Sequence, residues 1–312
     1  MKRELDGTVN ETVIMTTCSA PAKIYLFGEH AVVYGEPAIA CAVELRTYVT
    51  VKPARTTTLS SGNVKSRVEK NPYVFEALKS FKRRVSVPEV SIRVVSDVPS
   101  GAGIGSSAAL VVALLQALSI EFGADLNLSE IAAMAHGVER LVQGAASPTD
   151  TFISTMGGVA LMPEGEKLPP VKCGIVIGNT GTQASAKKTA MLVSRVARLK
   201  KDYPAVVDPV ITAIGKLSPL GLPLLEREDY AGVGRLMNIN HGLLEALGVG
   251  TPMLSRLVYA ARDAGAFGAK ITGAGGGGCM VALTDKPGDV AVNIECAGGD
   301  AYIVGLAFEG VR

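Results

Sequence analysis

The sequence predicts an α+β protein built as two lobes. Three observations predict it. β-Branched stretches alternate with helical periodicity through the first half of the chain. A strand, a glycine loop and a long apolar helix follow one another between residues 90 and 120. Beyond a break at Pro163–Pro170, carrying Pro, Gly and charges, the pattern becomes mostly helical and closes on short strands. A chain of 312 residues can build a sizeable core over one or two domains. The expected division is an N-terminal extension at 1–17, a first lobe at 18–165 and a second lobe at 166–312.

Residues 1–17 are polar and patternless, so they are expected to be poorly ordered. The strong signal begins just after Met15, which makes Met15 a candidate initiator. Residues 18–27 and 39–51 read as strands. Asn71 to Arg84 reads as a helix with Pro72 at its first position, where the missing N–H costs nothing. Val90 to Val98 is a strand feeding the glycine loop. The apolar run from Ala108 to Ile120 reads as a core helix too short to cross a bilayer. Ser129 is the expected cap of a helix to Gln143, with Ile131, Met134, Ala135 and Val138 on one face. Short strands are expected at 157–162 and 173–177. Helices follow at 186–199, 206–216, 230–247 and 252–264, with strands at 269–271, 279–283 and 302–308.

Composition excludes several classes. Hydrophobic residues make up 48% and charged residues 19%, with a net charge of +2, as in a soluble globular protein. No basic stripe interleaves with aromatics, so nucleic acid is not an expected partner. No membrane partner is expected either. The N-terminus is charged and has no apolar signal core, so export is not expected. Five scattered cysteines (Cys18, Cys41, Cys173, Cys279, Cys296) form no C-x-x-C pair. They read as reduced thiols of a cytoplasmic protein rather than as a disulfide or zinc framework.

The chemistry concentrates at residues 97–110, Asp-Val-Pro-Ser-Gly-Ala-Gly-Ile-Gly-Ser-Ser-Ala-Ala-Leu. Glycine lets a backbone turn tightly and approach a ligand. The helix that follows begins with N–H groups lacking intrahelical partners, at the positive end of its dipole. Such a junction attracts phosphate. The stretch is not a P-loop, because it has no lysine. The dinucleotide fingerprint requires glycine where Ser106 stands. The protein-kinase loop joins two strands, whereas a helix follows here. What remains is a strand, a glycine loop with paired serines and a helix, which favours phosphate binding over a plain turn because an apolar strand precedes it and an apolar helix follows.

Two further segments accompany it: Ser19-Ala-Pro-Ala-Lys-Ile-Tyr-Leu-Phe-Gly-Glu-His-Ala-Val-Val-Tyr-Gly35 and Lys270-Ile-Thr-Gly-Ala-Gly-Gly-Gly-Gly-Cys-Met280. In this order and spacing the three resemble the GHMP superfamily of galactokinase, homoserine kinase, mevalonate kinase and phosphomevalonate kinase. The first segment, together with Met237-Asn-Ile-Asn-His-Gly-Leu-Leu-Glu-Ala-Leu-Gly248, is most similar to the mevalonate kinases. Galactokinases share Gly-Glu-His but continue with a Thr-Asp-Tyr pattern that is absent here.

The resemblance implies a ribosomal-protein-S5-domain-2-like N-terminal lobe, a ferredoxin-like C-terminal lobe, and a cleft between them for ATP and a small alcohol, mevalonate. It implies Mg²⁺ as cofactor and ATP as co-substrate, and it leaves a homodimer open. The ATP cradle would be Pro99-Ser100-Gly101-Ala102-Gly103-Ile104-Gly105 with Ser106 and Ser107 at the helix start. Ser107 and Glu139, the latter in a Gly-x-Glu-Arg context, would hold the metal; Mg²⁺ needs few protein ligands. Without the resemblance, spacing alone favours a solvated helix carboxylate beside Arg140 for Glu139; the resemblance reverses that reading.

Asp150, eleven residues on, would accept the substrate's hydroxyl proton, although Ser147-Pro-Thr-Asp150 departs from the usual Pro-Ser-Gly-x-Asp and also suits a turn or cap. Lys23, between apolar residues on the first strand, would stand beside Asp150 and keep it ionised. Lys23, Glu29, His30 and Asp150 would line the substrate pocket, and the Gly273–Gly278 run would let the second lobe approach. The family's Ser/Thr-Thr-Lys cluster is Ser185-Ala186-Lys187 here, so Ser185 or Thr189 is the available replacement hydroxyl. His136 and His241 receive no chemistry. A sister kinase for another small alcohol and a non-catalytic nucleotide-binding regulator remain open alternatives.

Overall fold

The computed structural model describes residues 15–62, 64–99, 102–144, 147–182 and 186–312. Expectations on residues 1–14, Ser100, Gly101 and Ser185 lie outside the described residues. In chain order the elements of the first half are β1 (Thr16–Phe27), β2 (Ala38–Pro53), β3 (Thr58–Ser61), β4 (Val64–Ser66), α1 (Pro72–Lys82), β5 (Val90–Ser96), α2 (Ser106–Glu121), α3 (Leu128–Gln143), α4 (Thr149–Met156), β6 (Val159–Met162) and β7 (Glu166–Leu168). The second half holds β8 (Gly174–Asn179), α5 (Ala186–Asp202), α6 (Pro204–Glu226), α7 (Tyr230–Ala246), α8 (Pro252–Asp263), β9 (Gly268–Ile271), β10 (Cys279–Thr284), α9 (Pro287–Cys296) and β11 (Asp300–Val304).

The first sheet runs β4-β3-β5-β2-β6-β7, with β1 paired to β2. β1 and β2 are antiparallel from Thr16↔Val51 to Phe27↔Ile39, with register shifts at Pro21/Ala22 and Tyr25/Phe27. β3 and β5 are parallel. The second sheet, β11-β8-β10-β9, is antiparallel throughout. α2 lies across β1 and β2 and packs against α1 and α3. It is apolar all round and buries Ala108, Val111, Val112, Leu114, Leu115 and Leu118, as a helix enclosed by other elements must. The second sheet carries α8 and α9.

Several boundaries differ from the sequence reading. β1 starts at Thr16, so Thr16 and Thr17 belong to the sheet rather than to an extension. The cap of α3 is Asn127, not Ser129. Its Oδ1 accepts from Glu130 N–H at 3.0 Å, and Glu130 Oε2 accepts from Asn127 N–H at 3.1 Å. This reciprocal box satisfies two orphan donors, which Ser129 inside the first turn cannot do. The stretch expected as a linker contains β7, which pairs with β6 and extends the first sheet past residue 165.

The chain end also returns to the first lobe. Ala307 N–H donates to Ala42 O at 2.9 Å, and Ser19 and Arg312 exchange backbone bonds at 2.7 and 2.9 Å. Buried Arg46 fastens this return by donating from Nε to Ser19 Oγ at 3.0 Å and from Nη1 to Glu309 O at 3.3 Å.

α6 is ten residues longer at its C-terminal end than expected and contains Pro209, Pro219 and Pro223. By length and composition it is the one described helix long and apolar enough to cross a membrane. Here it buries Ile211, Ile214, Ser218, Gly221 and Leu225 and packs on α7 and β1. Their 3–4–3–4 spacing is that of a helix laid on a core.

Candidate active site

A cavity of about 320 Å³ opens where the first strand, the glycine loop and the third glycine segment meet. β1 supplies its base. Successive strand residues face opposite sides, so Lys23 and Tyr25 share a face. Lys23 is 1% exposed, and its Nζ is 3.1 Å from Asp150 Oδ1. Asp150 stands in the first turn of α4, where the helix dipole favours a negative charge. The Lys23 ammonium also rests 4.2 Å from the Tyr25 ring centroid, and the Tyr25 hydroxyl donates to Asp150 Oδ1 at 3.3 Å. Burial, then the Asp150 charge, raises the Tyr25 phenol well above its usual range, so it stays protonated.

The glycine loop lies against this pair. Lys23 N–H donates to Ile104 O at 2.9 Å, tying loop to strand. Gly105 precedes α2 with φ +79, in the left-handed region. A Cβ there would stand 2.9 Å from Lys23 Cγ, so only glycine lets the lysine stem pass beneath. Gly103, Gly105, Ser106 and Ser107 all line the cavity. The first N–H groups of α2 have no intrahelical acceptor, which makes this corner the anion end of the cavity.

Glu139 meets the loop from α3. It is 2% exposed, and its Oε1 accepts from Ser107 Oγ at 2.8 Å and from Gln143 Nε2 at 3.3 Å. It is therefore not a solvated helix carboxylate. Burial, and secondarily the Asp150 charge, pushes it up to about 8, while Ser107 and Lys23 oppose the rise. Tyr73 of α1 lines the same corner.

Glu29 and His30 close the strand end. His30 sits at φ 61, an uncommon conformation for a non-glycine residue. Its Nε2 is 3.0 Å from Ala274 O. A carbonyl accepts only, so Nε2 carries the proton and Nδ1 is an acceptor. Burial lowers the His30 pKa, which favours this neutral form. Glu29 also lines the cavity, yet both its oxygens have protein partners. Lys270 Nζ pairs with Oε1, and Asn240 Nδ2 donates to Oε2 at 2.9 Å. The pair is fully buried, and burial holds the Lys270 ammonium below its usual range against the pull of Glu29.

The third segment forms the opposite wall. Thr272 Oγ1 accepts from Tyr25 N–H at 2.9 Å, and Lys270 Nζ donates to Tyr25 O at 3.3 Å. Gly273, at φ +81, packs directly on Gly103 O. Thr189 of α5 reaches the cavity as well.

Lys23, Glu29, His30, Gly103, Gly105, Ser106, Ser107, Glu139 and Asp150 thus line one cavity. Pro99, Ala102 and Ile104 do not line it; Ala102 and Ile104 are buried beneath the loop. Tyr25, Tyr73, Gln143 and Thr272 were not singled out from the sequence. Tyr25 alone carried a signal, its position two residues beyond Lys23 on a strand.

The arrangement suits transfer of an anionic group to a hydroxyl: an anion corner, a carboxylate–cation pair, and a chamber between. Comparison with known proteins agrees. The GHMP kinases N terminal domain matches residues 72–158 and the GHMP kinases C terminal domain matches 222–298. A mevalonate kinase of Thermococcus sibiricus is 42% identical over 94% of this chain and 97% of its own. The crystal structure of the Methanococcus jannaschii mevalonate kinase superposes with a TM-score of 0.80 at 27% identity, covering 95% of this chain and 99% of that one. The L. major mevalonate kinase, crystallised in complex with R-mevalonate, superposes at 0.79 with 25% identity over 95% and 96% of the two chains. The chain belongs to the GHMP kinase family, and within it to the mevalonate kinases.

Proposed function

We propose that the chain transfers the γ-phosphoryl group of ATP to the primary hydroxyl of (R)-mevalonate, releasing 5-phosphomevalonate and ADP for isoprenoid precursor synthesis. One observation carries the reading. Asp150 and Lys23 stand 3.1 Å apart in the same cavity that the Gly103–Ser107 turn lines, so an acceptor hydroxyl and a terminal phosphate can meet there. The family supports ATP as co-substrate, and the relatives' names support mevalonate as acceptor.

In this reading the N–H groups at the start of α2 and the loop backbone hold the phosphates. The acceptor oxygen attacks phosphorus in line, the bond to the β-phosphate oxygen breaks, and Asp150 takes the hydroxyl proton. Lys23 balances the carboxylate and the charge developing on the acceptor oxygen. His30 offers Nδ1 to a substrate hydroxyl, and Glu29 acts by holding the turn that follows β1 to the second lobe.

Ser107 and Glu139 would hold Mg²⁺. Both donors are oxygen, they line the phosphate corner, and among the described residues no group of three or more His, Cys, Asp or Glu competes as a metal site. An oxygen-only set with few protein ligands fits Mg²⁺, which keeps waters and phosphates in its shell. When bound, the ion neutralises charge on the phosphate oxygens. Five free cysteines, three of them buried, fit a reducing cytoplasmic setting.

An ADP-release assay over a panel of acceptors tests the reading: mevalonate, phosphomevalonate, galactose and homoserine. Mevalonate is expected to give the highest kcat/KM. A higher value for another acceptor overturns the substrate assignment. ATP binding with no acceptor-dependent turnover overturns the enzyme.

A further inference from the structure

We infer that Tyr25 is a positioning residue for the transfer step, holding the Asp150 carboxylate and the Lys23 ammonium in one fixed arrangement through its hydroxyl and its ring. The inference rests on the role proposed above for Asp150.

The geometry is a closed triangle. Lys23 Nζ is 3.1 Å from Asp150 Oδ1, the Tyr25 hydroxyl is 3.3 Å from the same oxygen, and the lysine ammonium lies 4.2 Å from the tyrosine ring centroid. Both anchors use Oδ1. Among the described residues no side chain is hydrogen-bonded to Oδ2, so that oxygen is left for the acceptor hydroxyl. With Lys23 alone as anchor, one flexible four-carbon stem would fix the carboxylate. With Tyr25 added, the carboxylate is held from two directions.

Tyr25 can do this because it cannot move. Its side chain belongs to a buried cluster with Ala40, Ala42, Ile153 and Met162, and the residue is 5% exposed. Ala40 is its register partner on β2. Small residues on that strand leave room for an aromatic ring. Its backbone is gripped from the second lobe at both polar atoms, with N–H donating to Thr272 Oγ1 and O accepting from Lys270 Nζ. A tyrosine has two side-chain torsions to fix, so a packed ring delivers its hydroxyl to one point. An aliphatic residue would fill part of this space and supply neither the hydroxyl nor a π face for Lys23.

The test compares Tyr25→Phe, Asp150→Ala and the double variant in steady-state kinetics, with thermal unfolding of each. Tyr25→Phe keeps the ring, so its melting temperature and both KM values are expected to match the parent protein. Its kcat is expected to fall about tenfold, the cost of one hydrogen bond to a charged group lost at the reacting centre. In the Asp150→Ala background, Tyr25→Phe is expected to cause no further loss. A Tyr25→Phe kcat within twofold of the parent overturns the inference, as does a full tenfold loss on top of Asp150→Ala. Near-parental turnover by Asp150→Ala alone identifies the other failure, that of the underlying role of Asp150, and the inference falls with it.

Discussion

Gly105→Ala is the sharpest probe of how the loop and the lysine share space. The residue sits at φ +79 and ψ 23. An alanine held there costs about 1–2 kcal/mol in backbone strain. Its Cβ would stand 2.9 Å from Lys23 Cγ, 3.2 Å from Cε and 3.6 Å from Cδ. Lys23 cannot swing aside, because it is buried, paired with Asp150 and seated on the Tyr25 ring. Overpacking of this kind costs roughly another 1–3 kcal/mol. The expected destabilisation is therefore about 2–5 kcal/mol by the two sources together. Relief requires the stem or the loop to shift, and a shift of about 1 Å at a reacting centre costs on the order of 100-fold in rate.

Gly123→Ala is the control. It has a positive φ of 59 and no atom within 4 Å of the added Cβ, so it carries strain alone. The assays are urea unfolding and kcat with saturating ATP and mevalonate. Gly123→Ala is expected to lose about 1–2 kcal/mol with kcat unchanged. Gly105→Ala is expected to lose more stability and about 100-fold in kcat. A Gly105→Ala protein that behaves like the Gly123→Ala control in both assays refutes the claim that the loop pins Lys23.

Asp150→Ala is expected to lower kcat by roughly 10²–10⁴-fold with little change in ATP affinity, and single-turnover kinetics locates the loss in chemistry. Lys270→Met leaves the Glu29 carboxylate buried with Asn240 alone, so it is expected to cost about 3–5 kcal/mol in urea unfolding. Adding Glu29→Leu is expected to restore most of that stability but not kcat; recovery of both would reduce the pair to packing.

His241 supplies a pH test. It is buried on α7, 3.6 Å from Glu245, with Arg262 and Lys270 also acting on it, and burial lowers its pKa from 6.5 to about 4. The folded protein keeps the imidazole neutral while the unfolded chain takes a proton below pH 6.5. Stability is therefore present above that pH and is lost as pH falls toward 4, by roughly 3 kcal/mol in full. His241→Asn is expected to flatten that part of the acid limb in a melting-temperature profile; an unchanged limb contradicts it.

The local half of the structure was legible and the tertiary half was not. The strand–loop–helix at 90–121 could be read because glycine spacing, strand residues and an apolar run are adjacent in sequence. Lys23, Glu139 and Asp150 were reached through the ordered motifs, not through periodicity. The contacts that hold the site together run far along the chain, Tyr25 and Thr272 being 247 positions apart, and no local pattern encodes such a pairing. Glu29 shows the limit well. Its motif marks it for the pocket, but only the fold reveals that Lys270 and Asn240 take both its oxygens.

α6 shows a different limit. Pro219 and Pro223 read as helix breakers, each removing one backbone bond. The buried faces at 211, 214, 218, 221 and 225 hold the helix together across them, because tertiary packing outweighs local propensity. β7 was missed for the opposite reason: three residues, Glu-Lys-Leu, carry too little pattern to register.

The join between the lobes has a physical cost that its placement explains. A buried ion pair is weak support for stability, since desolvation offsets most of its attraction. Glu29–Lys270 is nevertheless among the most enclosed charges in the molecule, at 1% and 0% exposure. Lys270 also reaches Tyr25 O, and Thr272, two residues on and just past the strand end, binds Tyr25 N–H. One residue of β1 is thus fixed by Lys270 of β9 and by Thr272 just beyond that strand, and that residue touches both Lys23 and Asp150. Gly273 follows at once and rests on Gly103 of the phosphate loop. Three contacts within residues 270–273 therefore set the height of the catalytic pair and of the phosphate loop relative to the same segment. Replacing charge by methyl groups can return the folding energy, but it does not return this registration. Loss of kcat at unchanged stability is the signature by which the two are told apart.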